Sequence, residues 1–104
     1  MTQARVVLTT CGSKDEAQKI ARAVVERRVA ACVNIIAPVE SIYRWEERVE
    51  SATEWLLLIK STAEKSAVVC EAIRELHLYD VPECIVISIE DGSAEYLKWI
   101  EKST

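Results

Sequence analysis

Residues 31–60 read ACVNIIAPVESIYRWEERVESATEWLLLIK. Val33, Ile35, Ala37, Val39, Ser41, Tyr43 and Trp45 occupy alternate positions, and the residues between them are mixed in polarity. A period of two marks a strand with one buried face. After a polar turn at Glu46, Glu47 and Arg48, the run 54–60 alternates Trp55, Leu57 and Ile59 with Leu56 and Leu58, so it is apolar on both faces. The stretch predicts a long antiparallel hairpin. At about 3.3 Å per residue, a strand over 32–45 extends about 45 Å. A domain of this size has a radius of gyration of only about 13 Å, so the far end overhangs its own body. Two-stranded ribbons are marginal in water. Tyr43 and Trp45 therefore call for cover by another copy of the chain, and a homo-oligomer is expected, with function where subunits meet. Pro38 has no N–H to donate and belongs at a sheet edge or a bulge.

Working outward, 104 residues suffice for one domain over 1–104. A net charge of −4 without clustered Lys and Arg argues against nucleic acid as partner. No apolar run is long enough to span a bilayer as a helix, so no membrane partner is expected. The N-terminal MTQARVVLTT has a strand pattern and no signal-peptide core, which points to a cytoplasmic location. Cys11, Cys32, Cys70 and Cys84 are widely spaced, without C-x-x-C. In a reducing compartment they are expected as free thiols, packed as small hydrophobes.

Residues 6–10 form a first strand, which Gly12 ends. Ser13 with Glu16 fits a capping box. Helix 14–28 follows, with Ala17, Ile20, Ala21, Val24 and Arg28 at helical spacing. Ser61 and Glu64 repeat the box before a helix over 63–77, whose inward stripe is Val69, Ala72, Ile73 and Leu76. A loop over 77–83, a strand over 84–89 and a helix over 94–102 complete the chain; in that last helix Tyr96, Leu97 and Ile100 face inward. The order β-α-β-β-α-β plus a terminal helix reads as an α+β, ferredoxin-like fold. Strands one and three are expected side by side and parallel at the centre. Strands two and four take the edges, and both main helices cover one face.

His77, Tyr79 and Glu83 flank one loop. With Tyr43, Trp45 and Lys60 of a neighbouring copy they would line a cleft responsive to an anion or a metal. The plainer alternative has His77 ending its helix, favoured by the dipole, and Glu83 paired with Lys60 or Arg44. Trp45 and Trp55 suit interface anchors; Trp99 packs on the core or lines the same cleft. No nucleophile sits beside a base, so a non-enzymatic protein with no required cofactor is expected.

Five segments carry a family resemblance. They are ARAVVERRVAACVNI (21–35), SIYRW (41–45), WLLLIK (55–60), HLYDVPE (77–83) and YLKWI (96–100). In this order, across nearly the whole chain, the sequence resembles the CutA divalent-cation tolerance proteins. The resemblance implies a ferredoxin-like subunit in a tight homotrimer whose hairpins pair between subunits. It implies a trimer related in shape to the PII signalling proteins, which bind small ligands in clefts between subunits. It also implies a role in the response to metal ions, with copper or another divalent cation as ligand. Cys11 and Cys32 match family cysteine positions, whereas the third family cysteine falls near Ala72 and not on Cys70. Two other functions stay open: a PII-like sensor of a small ligand and a trimeric structural adaptor.

Overall fold

Period-two hydrophobicity and two helical stripes resolve, in a computed structural model that describes residues 2–104, into seven elements. They are β1 (Ala4–Cys11), α1 (Lys14–Glu26), β2 (Cys32–Trp45), β3 (Arg48–Thr62), α2 (Ser66–Leu76), β4 (Ile85–Ser88) and α3 (Ala94–Lys102). The sheet order is β2-β3-β1-β4, with β3 and β1 at the centre and β2 and β4 at the edges. This is the ferredoxin-like α+β arrangement.

β1 and β3 run antiparallel, from Ala4↔Thr62 to Cys11↔Trp55, and not parallel as expected. The crossover through α1 makes β1 and β2 point the same way. β3 turns back from β2 and inserts between them, so it opposes both. β4 also pairs antiparallel with β1, over Arg5↔Ser88 to Leu8↔Ile85.

The core lies between the sheet and the helices. Val7 and Cys11 of β1 and Leu57 and Ile59 of β3 meet Ala17, Ile20 and Val24 of α1 and Val69, Ala72 and Ile73 of α2. Ile100 of α3 is fully buried, but Tyr96, expected inward, is exposed. Helix α1 ends two residues earlier than its stripe suggested. Arg28 leaves the helix with φ 60°, in the left-handed position usual after a helix C-cap, although it is not glycine. There the backbone N–H groups of Val29 and Ala30 both reach Val24 O, at 3.1 Å. The second capping box does not form. β3 runs on to Thr62, and the Ser61 hydroxyl donates to Val29 O at 2.6 Å. α2 starts at Ser66, with Lys65 as an N-cap that makes no side-chain bond.

The opposite face of the sheet has neither α1 nor α2 over it. By register it presents Val6, Leu8, Leu56, Leu58, Ile85 and Ile87 together. Ile85 and Ile87 are 49% and 45% exposed. In a single chain this is an uncovered apolar surface at the centre of the sheet.

The hairpin overhangs as expected. Its pairs from Val39↔Glu54 to Trp45↔Arg48 lie beyond the end of β1, and the chain measures 44 Å along its long axis. On this ribbon Ile42, Val49 and Trp45 are 69%, 68% and 52% exposed. Pro38 follows a cis peptide and sits at a register shift between Ile36 and Val39, on an edge strand. The turn is only Glu46 and Glu47, both at positive φ (50° and 64°). Such turns favour Asn-Gly, because Cβ resists this conformation. Replacing the pair with Asn-Gly is expected to stabilise the protein by about 1 kcal/mol, read as a higher urea midpoint at unchanged slope.

The expectation of four free thiols is corrected: Cys70 of α2 and Cys84, just before β4, form a disulfide. Helix and loop geometry bring their Cα atoms to 5.9 Å, within bonding range. Cys11 and Cys32 are free.

Candidate metal centre

Three elements converge at one end of the core. The chain leaves β1 at Cys11 and turns through Gly12 and Ser13 into α1. Ser13 caps α1, its hydroxyl accepting from Glu16 N–H at 3.2 Å. The Glu16 side chain does not return a bond to Ser13 N–H, so only the serine half of the expected capping box forms. Oε1 accepts from Gly12 N–H at 3.3 Å, and Oε2 accepts from Leu78 N–H at 2.7 Å. The carboxylate thus ties α1 to the loop that follows α2.

His77 ends α2, with its N–H donating to Ile73 O. Its ring is buried, and Nε2 lies 2.7 Å from Thr10 O. A carbonyl only accepts, so Nε2 carries a proton. Nδ1 accepts from Tyr79 N–H at 3.1 Å and lies 3.2 Å from Glu16 Oε2. Two acceptor atoms therefore face each other. Donor atoms of Cys11, Glu16 and His77 all fall within 4.8 Å of one another, and all three residues are buried.

Burial first, then Glu16 and Glu54, push the Cys11 thiol up to about 12, so it stays protonated in the free protein. Thiolate, imidazole and carboxylate suit zinc and copper. The donor set fits such an ion, whose entry would displace the thiol proton. Among the described residues one buried side-chain atom lacks a hydrogen-bond partner: Thr9 Oγ1, two residues before Cys11 in β1.

Above this cluster lies an open groove of about 820 Å³ between the hairpin and the 78–83 loop. Tyr43, Trp45, Glu54, Tyr79 and Glu83 are among its lining residues. The Tyr79 ring packs 4.6 Å from that of His77, and its hydroxyl donates to Glu54 Oε2 at 2.7 Å. Gly12 makes room for it, since a Cβ there would stand 3.1 Å from the Tyr79 oxygen. Desolvation first, then the bond to Glu54, raises the Tyr79 phenol far above its ordinary range. Desolvation and the charge of Glu54 likewise raise the Glu83 carboxyl.

A carboxyl raised in the folded state binds its proton more tightly there than in the unfolded chain. Stability from Glu83 is therefore present below its raised value and is lost as pH rises through it. Glu83→Gln is expected to flatten the stability profile just above the ordinary carboxylate range and to add about 0.5 kcal/mol at pH 7, measured by thermal unfolding across pH.

Of the residues singled out in the sequence, the structure gathers Tyr43, Trp45, Tyr79 and Glu83 around one groove, with His77 packed beneath Tyr79. Lys60 is elsewhere. It pairs with Val6 and Cys32 at the other end of the sheet and bonds the Asn34 side chain. Trp99 lies on α3 against Tyr96. Cys11 and Cys32 are not brought together within one chain. Cys11 is buried opposite Trp55 beneath the helices, whereas Cys32 pairs with Lys60 on the uncovered face. Glu16 and Glu54 were missed as site residues. The capping box was the one visible sign of Glu16.

The family model described as CutA1 divalent ion tolerance protein matches residues 5–103. The chain belongs to the CutA1 divalent ion tolerance family. It is 44% identical over 99 residues to the divalent-cation tolerance protein CutA of Thermus thermophilus, covering 95% of this chain and 96% of that one. It is 45% identical over 91 residues to a CutA homolog of Xenopus laevis, of which it spans only 60%. The solved structure of the divalent cation tolerance protein from Thermus thermophilus superposes with a TM-score of 0.95, covering 97% of this chain and 98% of that chain. The long hairpin, the antiparallel sheet and the three helices are thus the CutA1 fold.

Proposed function

We propose that this chain is a non-enzymatic, trimeric cation-tolerance protein of the cytoplasm that binds a copper or other divalent ion through Cys11 Sγ, a Glu16 carboxylate oxygen and His77 Nδ1. The observation that carries the reading is the buried Cys11–Glu16–His77 donor set, in which two acceptors face each other with a thiol beside them. The ion, when bound, supplies the positive charge this cluster lacks. The residues of the chain shape the site, exclude water from it and give up the Cys11 proton. A trimer is the assembly that the family resemblance implies. The uncovered apolar sheet face and the overhanging ribbon support burial against further copies. The groove above the site carries Glu50, Glu54, Asp80 and Glu83 and no Lys or Arg among its lining residues. That lining favours a cation over the anionic metabolite of a PII-like sensor.

Calorimetric titration of the protein with Zn²⁺ and Cu²⁺ under argon tests the site. One ion per chain is expected, with proton release, and affinity falling at least about tenfold in Cys11→Ser and in His77→Gln. Equal affinity in both variants would remove the cluster from the function, whereas Cys32→Ser is expected to leave binding unchanged.

A further inference from the structure

The disulfide closes a ring around the segment that carries the groove. Cys70 sits in α2, Cys84 just before β4, and the 14-residue separation encloses His77, Tyr79 and Glu83. Otherwise the segment is held to the body by few contacts. Leu78 N–H reaches Glu16, Tyr79 Oη reaches Glu54, and His77 Nε2 reaches Thr10 O. Beyond these, Leu78 and Val81 are 80% and 77% exposed. Downstream, β4 has only four residues, all exposed, and pairs with β1 alone. Both half-cystines are only partly buried, so small thiols and disulfides have a route to the sulfur atoms.

We infer that Cys70 and Cys84 form a reversible redox site whose oxidation latches the 77–83 segment over the cation centre. A low-molecular-weight disulfide of the glutathione class is the oxidant. The thiolate of one cysteine attacks it, forming a mixed disulfide and expelling one thiol. The second cysteine then attacks the mixed disulfide, closing the Cys70–Cys84 bond and expelling the other thiol. Two protein thiols lose two electrons, the small disulfide gains them, and the two protons pass to the departing thiols. Two molecules of small thiol reverse the sequence. In a thiol-rich compartment such a pair is reduced at rest and closes when the small-disulfide pool rises. A cross-link restrains the loop ends it joins, so oxidation holds His77 against Glu16 and Tyr79 over Gly12. Reduction frees the loop to open locally.

The site-control part of this inference rests on the cation reading; the latch itself does not, and the experiment separates them. The full chain is incubated air-free with oxidised or reduced glutathione, its thiols are counted by mass spectrometry, and amide exchange is followed over 78–83. Oxidised glutathione is expected to close the Cys70–Cys84 bond, leaving Cys11 and Cys32 free, and to slow exchange at 78–83 at least about tenfold relative to β1 and β3. The Cys70→Ser, Cys84→Ser double variant is expected to match the reduced protein and to ignore the redox state. Cys84→Ala serves as a second variant should the double one not fold. Failure of the pair to oxidise, or equal exchange in both states, overturns the latch. Zinc affinity is then compared in the two states. A redox effect on exchange with none on zinc overturns the control of the site alone. Zinc binding indifferent to Cys11→Ser in either state overturns the cation reading and leaves the latch standing.

Discussion

Glu16→Ala is expected to destabilise the protein by about 3–5 kcal/mol, the loss of two hydrogen bonds to a charged carboxylate. Glu16 is only 7% exposed, and its two oxygens accept from Gly12 N–H and Leu78 N–H, with Oε2 beside His77 Nδ1. Alanine leaves two backbone donors without partners and opens space beside Cys11. Each hydrogen bond to a charged group contributes about 1.5–3 kcal/mol. Glu16→Gln keeps the shape and one acceptor oxygen, so about half the loss is expected. Urea unfolding read by far-UV circular dichroism checks both. A loss under about 1 kcal/mol for the alanine variant would show that the network is incidental.

Leu58→Glu is expected to abolish assembly. Leu58 lies at the centre of the uncovered face, paired with Leu8 on one side and Asn34 on the other. A carboxylate there stays solvated in a lone chain but is desolvated without a partner once copies pack, a cost of several kcal/mol at each site. Sedimentation equilibrium at micromolar concentration is expected to give three times the 11.7 kDa chain mass for the native protein. The variant is expected at the single-chain mass, with its far-UV spectrum kept. A variant that keeps the native mass would move the interface away from this face.

Much of this architecture can be read without coordinates, and the reasons differ by element. The limits of β2 and α3 coincide with expectation, Cys32–Trp45 and Ala94–Lys102, because alternation marks β2 and Ser93 caps the start of α3, its hydroxyl accepting from Tyr96 N–H. β3 begins at Arg48, earlier than its apolar run shows, because residues 48–53 pair only within the exposed ribbon and carry no core signal. Ser61 and Glu64 satisfied a local capping rule, yet the Ser61 hydroxyl answers a carbonyl 32 residues away. The antiparallel direction of β3 against β1 is already implied by a β2–β3 hairpin together with a crossover from β1 to β2. At the site, His77, Tyr79 and Glu83 were legible because one loop carries all three. Glu16 and Glu54 were not, since each meets that loop across long sequence distances. The pairing of Cys70 with Cys84 lies beyond spacing alone, because four cysteines admit several connectivities.

The long ribbon also sets an order of events in time. Its rungs nearest the tip join neighbours such as Trp45 and Arg48, so they close with little entropy to overcome. The β1–β3 ladder must instead bring Ala4 to Thr62, and β4 cannot join until most of the chain has been synthesised. A growing polypeptide therefore displays its ribbon before it owns a finished sheet.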